Sequence, residues 1–122
     1  MRRAGEALRR ARDAETIWAS VRQVARELGA TGVSLRLVDD DGETRSFAVR
    51  VAANDPRLYV ARYSILAERH SDDVIELSWT DGRKKIDRDT EIAVELLCDH
   101  VSAATERIRP ALVPLRKLAN SR

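Results

Sequence analysis

The sequence predicts an α+β fold in which two long helices enclose a run of four short strands. Three observations carry that prediction. Ile17, Val21, Val24, Ala25 and Leu28 recur at helical spacing near one end, as do Ile92, Leu96, Leu97, Val101, Ala104 and Ile108 near the other. Between them lie four runs of strand-forming residues, largely alternating apolar with polar and separated by Asp, Asn, Gly or Pro or by a polar loop. The last run, Val74 to Trp79, passes through Thr80-Asp81-Gly82 and the basic Arg83-Lys84-Lys85 into the second long helix.

Each element has its own local signal. Residues 4–12 are helix-compatible, with Ala4, Leu8 and Ala11 on one stripe, and form a basic lead-in. Asp13 is placed to cap the next helix or to kink the chain, because its carboxylate accepts from backbone amides that lack intrahelical partners. Gly29 suits the end of that helix, since it tolerates positive φ. Val33, Leu35 and Leu37 form the buried side of the first strand. Asp39-Asp40-Asp41-Gly42 reads as a hairpin turn. The second strand, over 44–51, is expected to put Phe47, Val49 and Val51 inward and Arg45, Ala48 and Arg50 outward.

Asn54-Asp55-Pro56 ends the second strand, as proline has no amide for a ladder. The third strand, over 58–66, sets Tyr59, Ala61, Tyr63 and Ile65 on one face; 67–73 is a polar loop. In the fourth, Ile75, Leu77 and Trp79 share a face. Asp87 or Asp89 caps the last helix, which runs to about Arg109 before Pro110 and Pro114 interrupt it. The organisation is thus a lead-in over 1–12, a domain over 13–109 and a tail over 110–122.

Composition narrows the function. The chain has 122 residues, 43% of them hydrophobic and 34% charged, which describes one soluble domain. No apolar run approaches the ~20 residues of a membrane span, and the single Cys98 fits a reducing, cytoplasmic compartment. The net charge is only +2, and acidic residues sit among the arginines nearly everywhere. That describes an ion-paired surface with no specific nucleic-acid stripe. The exception is Arg2, Arg3, Arg9 and Arg10, with Arg12, which reads first as an exposed helical lead-in, with contact to an anion, an anionic membrane surface or nucleic acid as the alternative.

No catalytic, metal or cofactor set emerges. His70 lies in a turn-rich polar loop, where a solvated role outweighs acid–base work. Cys98 and His100 stand two apart on a helix and so point to different faces. Two histidines and one cysteine make a zinc set unconvincing, and the Asp39–Asp41 run lacks the later bidentate glutamate of a calcium loop. Trp18 and Trp79 read as core residues, with an exposed partner site as the alternative.

Taken together, the helix ending at Leu28-Gly29, the acidic hairpin, Ile75-Glu76-Leu77-Ser78-Trp79-Thr80-Asp81-Gly82, and Asp89 with Glu91, Ala93, Glu95, Leu96 and Leu97 resemble a GAF domain over 13–109. The resemblance implies an antiparallel sheet in the order 2-1-4-3 with both long helices on one face. Ligand-binding GAF domains hold their ligand under a middle excursion of loops and helices. Here the corresponding connections, 52–57 and 67–73, have the short length of simple links, so a minimal domain without an enclosed pocket is expected.

The functional expectation is therefore a non-catalytic regulatory or dimerisation module, with no cofactor. An uncovered apolar stripe on the terminal helices (Leu8, Ile17, Val21, Val101, Ala104, Ile108 and Leu112) would form a homodimer. The alternative is a small-molecule sensor with its ligand on the open sheet face. The arginine-rich end also resembles GAF-like appendages of bacterial membrane enzymes, such as polyprenyl-phosphate sugar-1-phosphate transferases. That suggests an accessory domain at the cytoplasmic end of a longer protein, attached to a catalytic or membrane domain.

Overall fold

The structure, a computed structural model, describes residues 2–38, 44–52, 54–65 and 73–112, and side chains within 3–108. The elements are α1 (Arg2–Arg10), α2 (Ala14–Glu27), β1 (Gly32–Val38), β2 (Thr44–Val49), β3 (Tyr59–Ser64), β4 (Val74–Trp79) and α3 (Arg88–Leu112). The strands form one antiparallel sheet in the order β2-β1-β4-β3, as expected. The turn predicted at Asp39–Gly42 and most of the polar loop at 67–73, including His70, lie outside the described residues.

Strand register sorts the sheet into two chemically different faces. One face carries the rows Val49–Val33–Leu77–Ala61 and Phe47–Leu35–Ile75–Tyr63. Of these, Leu35, Ile75 and Leu77 are at most 1% exposed, and they join a single core with the three helices. The other face carries Ala48–Ser34–Glu76–Arg62 and Ser46–Arg36–Val74–Ser64, mostly small or polar side chains that need no cover.

Helix ends follow from local chemistry. Asp13 is extended and its Oδ1 accepts the Thr16 amide at 2.7 Å, so it is the N-cap of α2. At the other end Gly29 adopts φ 76°. Its amide donates to the Arg26 carbonyl at 3.1 Å and that of Ala30 to Ala25 at 2.9 Å, the double closure of a Schellman motif. Asp87, rather than Asp89, caps α3 by accepting the Thr90 amide at 2.8 Å, which also holds its carboxyl below the usual carboxylate range. Helix α3 continues through Pro110 to Leu112, beyond the end expected near Arg109. Proline has no amide to donate, so this extension lacks one rung of the helical ladder.

Five sequence expectations are corrected. The lead-in is part of the fold: α1 packs against α2 and α3, with Ala4, Leu8 and Ala11 at 3%, 1% and 4% exposure. For the same reason Leu8, Ile17, Val21, Val101, Ala104 and Ile108 are no dimer surface. All six are buried within the single chain, because α1 covers the stripes of its two neighbours; the Leu112 side chain lies outside the described residues.

The buried stripe of α3 is Val94, Leu97, Val101, Ala104 and Ile108, whereas Ile92 and Leu96 are 40% and 46% exposed. At 100° per residue, 92 and 96 fall off the arc that 94, 97 and 101 define. Finally, β2 is an edge strand: only Phe47 is half-buried, Val49 is exposed, and Arg45 lies on the helix side, paired with Glu15 of α2.

Asp73 also departs from the solvated loop expected for it. It is fully buried and accepts the Val38 amide at 2.8 Å, while its own carbonyl accepts the Ile65 amide at 2.8 Å. One carboxylate thereby ties the end of β1 to the β3–β4 connection.

If α1 belongs to the core, Leu8→Ala will lower stability by about 2–4 kcal/mol. Leu96→Ala will cost less than about 0.5 kcal/mol. Urea unfolding of the two variants checks both values, and equal midpoints would count against this packing.

Candidate functional site

The face of the sheet away from the helices holds an open concavity of about 400 Å³. Its floor is built from alternate positions of the two central strands: Ser34 on β1, then Glu76 and Ser78 on β4. Ala48 on β2 continues the floor, and Leu58, Val60 and Val51 supply apolar walls with Arg50 at the rim. Gly32 keeps this end of the sheet shallow. A Cβ there would stand 3.2 Å from the Val49 carbonyl oxygen and from Val51 Cγ1, and 3.3 Å from Ser78 Cβ. Val60, like Val49, is exposed, at 45%.

Ser34 and Ser78 offer hydroxyls and Glu76 a carboxylate, and among the described residues no histidine, cysteine or lysine lines the concavity. Arg62 stands opposite Glu76 on β3, placing charges of opposite sign side by side across the floor. A mostly apolar wall with a few fixed polar groups is the usual make-up of a small-ligand site.

The other residues singled out in the sequence are dispersed. Cys98 is partly buried, and burial, with Asp99 and Glu95 adding to it, pushes its thiol up to about 11. The His100 ring lies on another side of α3, against Gly5 of α1, where an added Cβ would come within 3.3 Å of Nε2. The two therefore do not cooperate. Among the described residues no cluster of histidine, cysteine and carboxylates has the make-up of a metal site. Nor, among them, is any helix long and apolar enough to cross a membrane.

The basic set divides too. Glu27 accepts from Gln23 at 3.2 Å, which lowers its carboxyl pKa, and the charge of Arg3 adds to that effect. Arg3 thus belongs to the start of α1, while Arg9 and Arg10 stand at its far end; the Arg2 side chain lies outside the described residues.

Trp79 resolves as core. It is fully buried and its Nε1–H donates to the Leu28 carbonyl at 3.1 Å. Arg83 sits over its ring at 4.6 Å and grips Asp81 through Nη2 at 2.7 Å and Nε at 3.0 Å. The basic link is therefore partly internalised. Those bonds draw the Asp81 carboxyl down to about 2. Because the folded value is depressed, the clamp is favoured above the ordinary value of 3.8 and is lost as pH falls through about 2. Trp18 is half-buried and stacks on Phe47 at 5.6 Å, closing the β2 edge.

No family model matches the chain, and comparisons with curated proteins and with solved structures likewise give no significant match. The concavity itself was partly legible. Val60 is an apolar residue out of phase with Tyr59, Ala61 and Tyr63, and that phase break was the available signal. Its neighbours on β1 and β4 depend on strand order, which alternation does not state.

Since the Cys98 thiol is raised from 9.0 to about 11, its thiolate fraction near neutral pH is about a hundredfold lower than that of an unperturbed thiol. Reaction with a disulfide reagent at pH 7.5 should be correspondingly slow in the native protein and should speed up in urea. A native rate matching the unfolded chain would contradict this burial.

Proposed function

We propose that this chain is a non-catalytic regulatory module, GAF-like in layout, that binds a small ligand on the face of its sheet away from the helices. The observation that carries the reading is a contrast of surfaces. Among the described residues the apolar stripes of the three helices are buried inside the chain, while Val60, Leu58 and Val51 wall an open concavity floored by Ser34, Ser78 and Glu76. The strand order 2-1-4-3, with the terminal helices on the opposite face, supports the GAF-like layout. The ligand we infer has an apolar body and a polar end that hydrogen-bonds the serine hydroxyls and Glu76. In this proposal the module acts in the bacterial cytoplasm as part of a longer protein and regulates the domain attached to it.

Amide chemical-shift mapping against a library of small amphiphilic fragments tests the site. Binders should perturb Ser34, Ala48, Val60 and Ser78, and Val60→Glu should abolish those shifts without moving the melting temperature by more than a few degrees. Fragments that perturb only the helix layer, or none that bind, would overturn the reading.

A second reading, homodimerisation, is favoured by Ile92 and Leu96, exposed one helical turn apart on α3. If copies pair there, sedimentation equilibrium will show a concentration-dependent dimer that Leu96→Glu converts to monomer. A wild-type chain that stays monomeric across the concentration range removes this reading and leaves the sheet-face proposal standing.

A further inference from the structure

We propose that Arg9, Arg10, Arg12 and Arg107 form a binding site for a phosphate-bearing anion of two or more negative charges, separate from the sheet face. The four line one concavity of about 590 Å³, with Ala11 and Ile108 as its apolar residues. Two distant parts of the chain build it. Helix α1 ends at Arg10, the chain turns before the Asp13 cap, and the turn brings Arg12 onto the same concavity as Arg107 of α3.

Two features distinguish this corner from an ordinary charged surface. First, Arg107 is anchored: its Nη2 donates to the Leu8 carbonyl, which also accepts the Ala11 amide at 3.2 Å. One guanidinium is thereby held at the mouth of the concavity with donors to spare, so less side-chain freedom is lost when an anion arrives. Second, the charges are uncompensated. Arg45, Arg57 and Arg83 each pair with a carboxylate, whereas among the described residues no carboxylate pairs with any of these four. Neighbouring Asp13 caps α2 through the Thr16 amide, and the cation that acts on its carboxylate is Arg45, none of these four.

The chemistry selects the ligand. Planar guanidinium forks match phosphate oxygens two at a time, and four of them around one volume suit a multiply charged group better than a single carboxylate. The four guanidiniums converge on one concavity, which fits a compact phosphate group. A soluble polyphosphate and a lipid phosphomonoester headgroup share this chemistry.

Calorimetric titration of the full chain with inorganic pyrophosphate at low ionic strength tests the first source. Co-sedimentation with phosphatidylcholine vesicles, with and without phosphatidic acid, tests the second. Binding to pyrophosphate alone assigns a soluble ligand, and phosphatidic-acid-dependent sedimentation assigns the headgroup; either supports the site when the variants follow the expected pattern. The double variant Arg9→Gln/Arg12→Gln should weaken binding roughly tenfold, and a control with the same charge change on α2, Arg22→Gln/Arg26→Gln, less than about twofold. Arg107→Gln should weaken it as well, with thermal melting separating that loss from any loss of the Leu8 anchor. Absence of binding to both probes, or an equal loss in the α2 control, would overturn the proposal.

Discussion

The indole of Trp79 is the point on which the fold turns. It closes the last strand inside the core and donates its one N–H to the Leu28 carbonyl at 3.1 Å, where α2 ends. A buried indole N–H without an acceptor would be costly, so the end of α2 has to sit there. The Schellman closure at Gly29 and Ala30 makes that end reproducible. Directly afterwards the Thr31 amide donates to the Ser78 carbonyl at 2.9 Å, which starts β1 alongside β4. Arg83, laid over the indole and held by Asp81, then steers the chain toward the Asp87 cap of α3. One corner sets the end of one helix, the pairing of two strands and the start of another helix.

From that corner the helix layer closes on itself. Helices α2 and α3 leave an apolar stripe that a four-stranded sheet does not cover, and α1 fills it with small and branched residues, Ala4, Leu8 and Ala11. Gly5 allows the close approach to His100 that this packing needs. The result removes the feature that made association through these helices attractive: an apolar stripe drives pairing only while it is exposed. Any surface available to a partner must be sought elsewhere, on the outer side of α3 or on the sheet.

The two remaining surfaces of interest differ in kind. The sheet face is a shallow apolar bowl with a few fixed polar groups, built from neighbouring strands. The arginine corner is electrostatic, built from two segments about a hundred residues apart and organised by one anchored guanidinium. The one thiol is driven up by burial and the nearest histidine in sequence faces α1, so neither joins either surface.

The sequence by itself determined the element types and order, the caps at Asp13 and Gly29, and the inward faces of β1, β3 and β4. These depend on periodicity and on local hydrogen bonds within a few residues, which any reader of the chain can follow. It also left clues to the sheet site, in the out-of-phase Val60. Only the tertiary structure decided that α1 joins the core, that α3 buries Val94 and leaves Ile92 and Leu96 outside, and that Asp73 is interior. It alone placed Arg12 and Arg107 on one concavity. The physical reason is the same in each case: an amphipathic pattern says that a face is apolar, but which neighbour covers it depends on contacts between segments far apart in the chain.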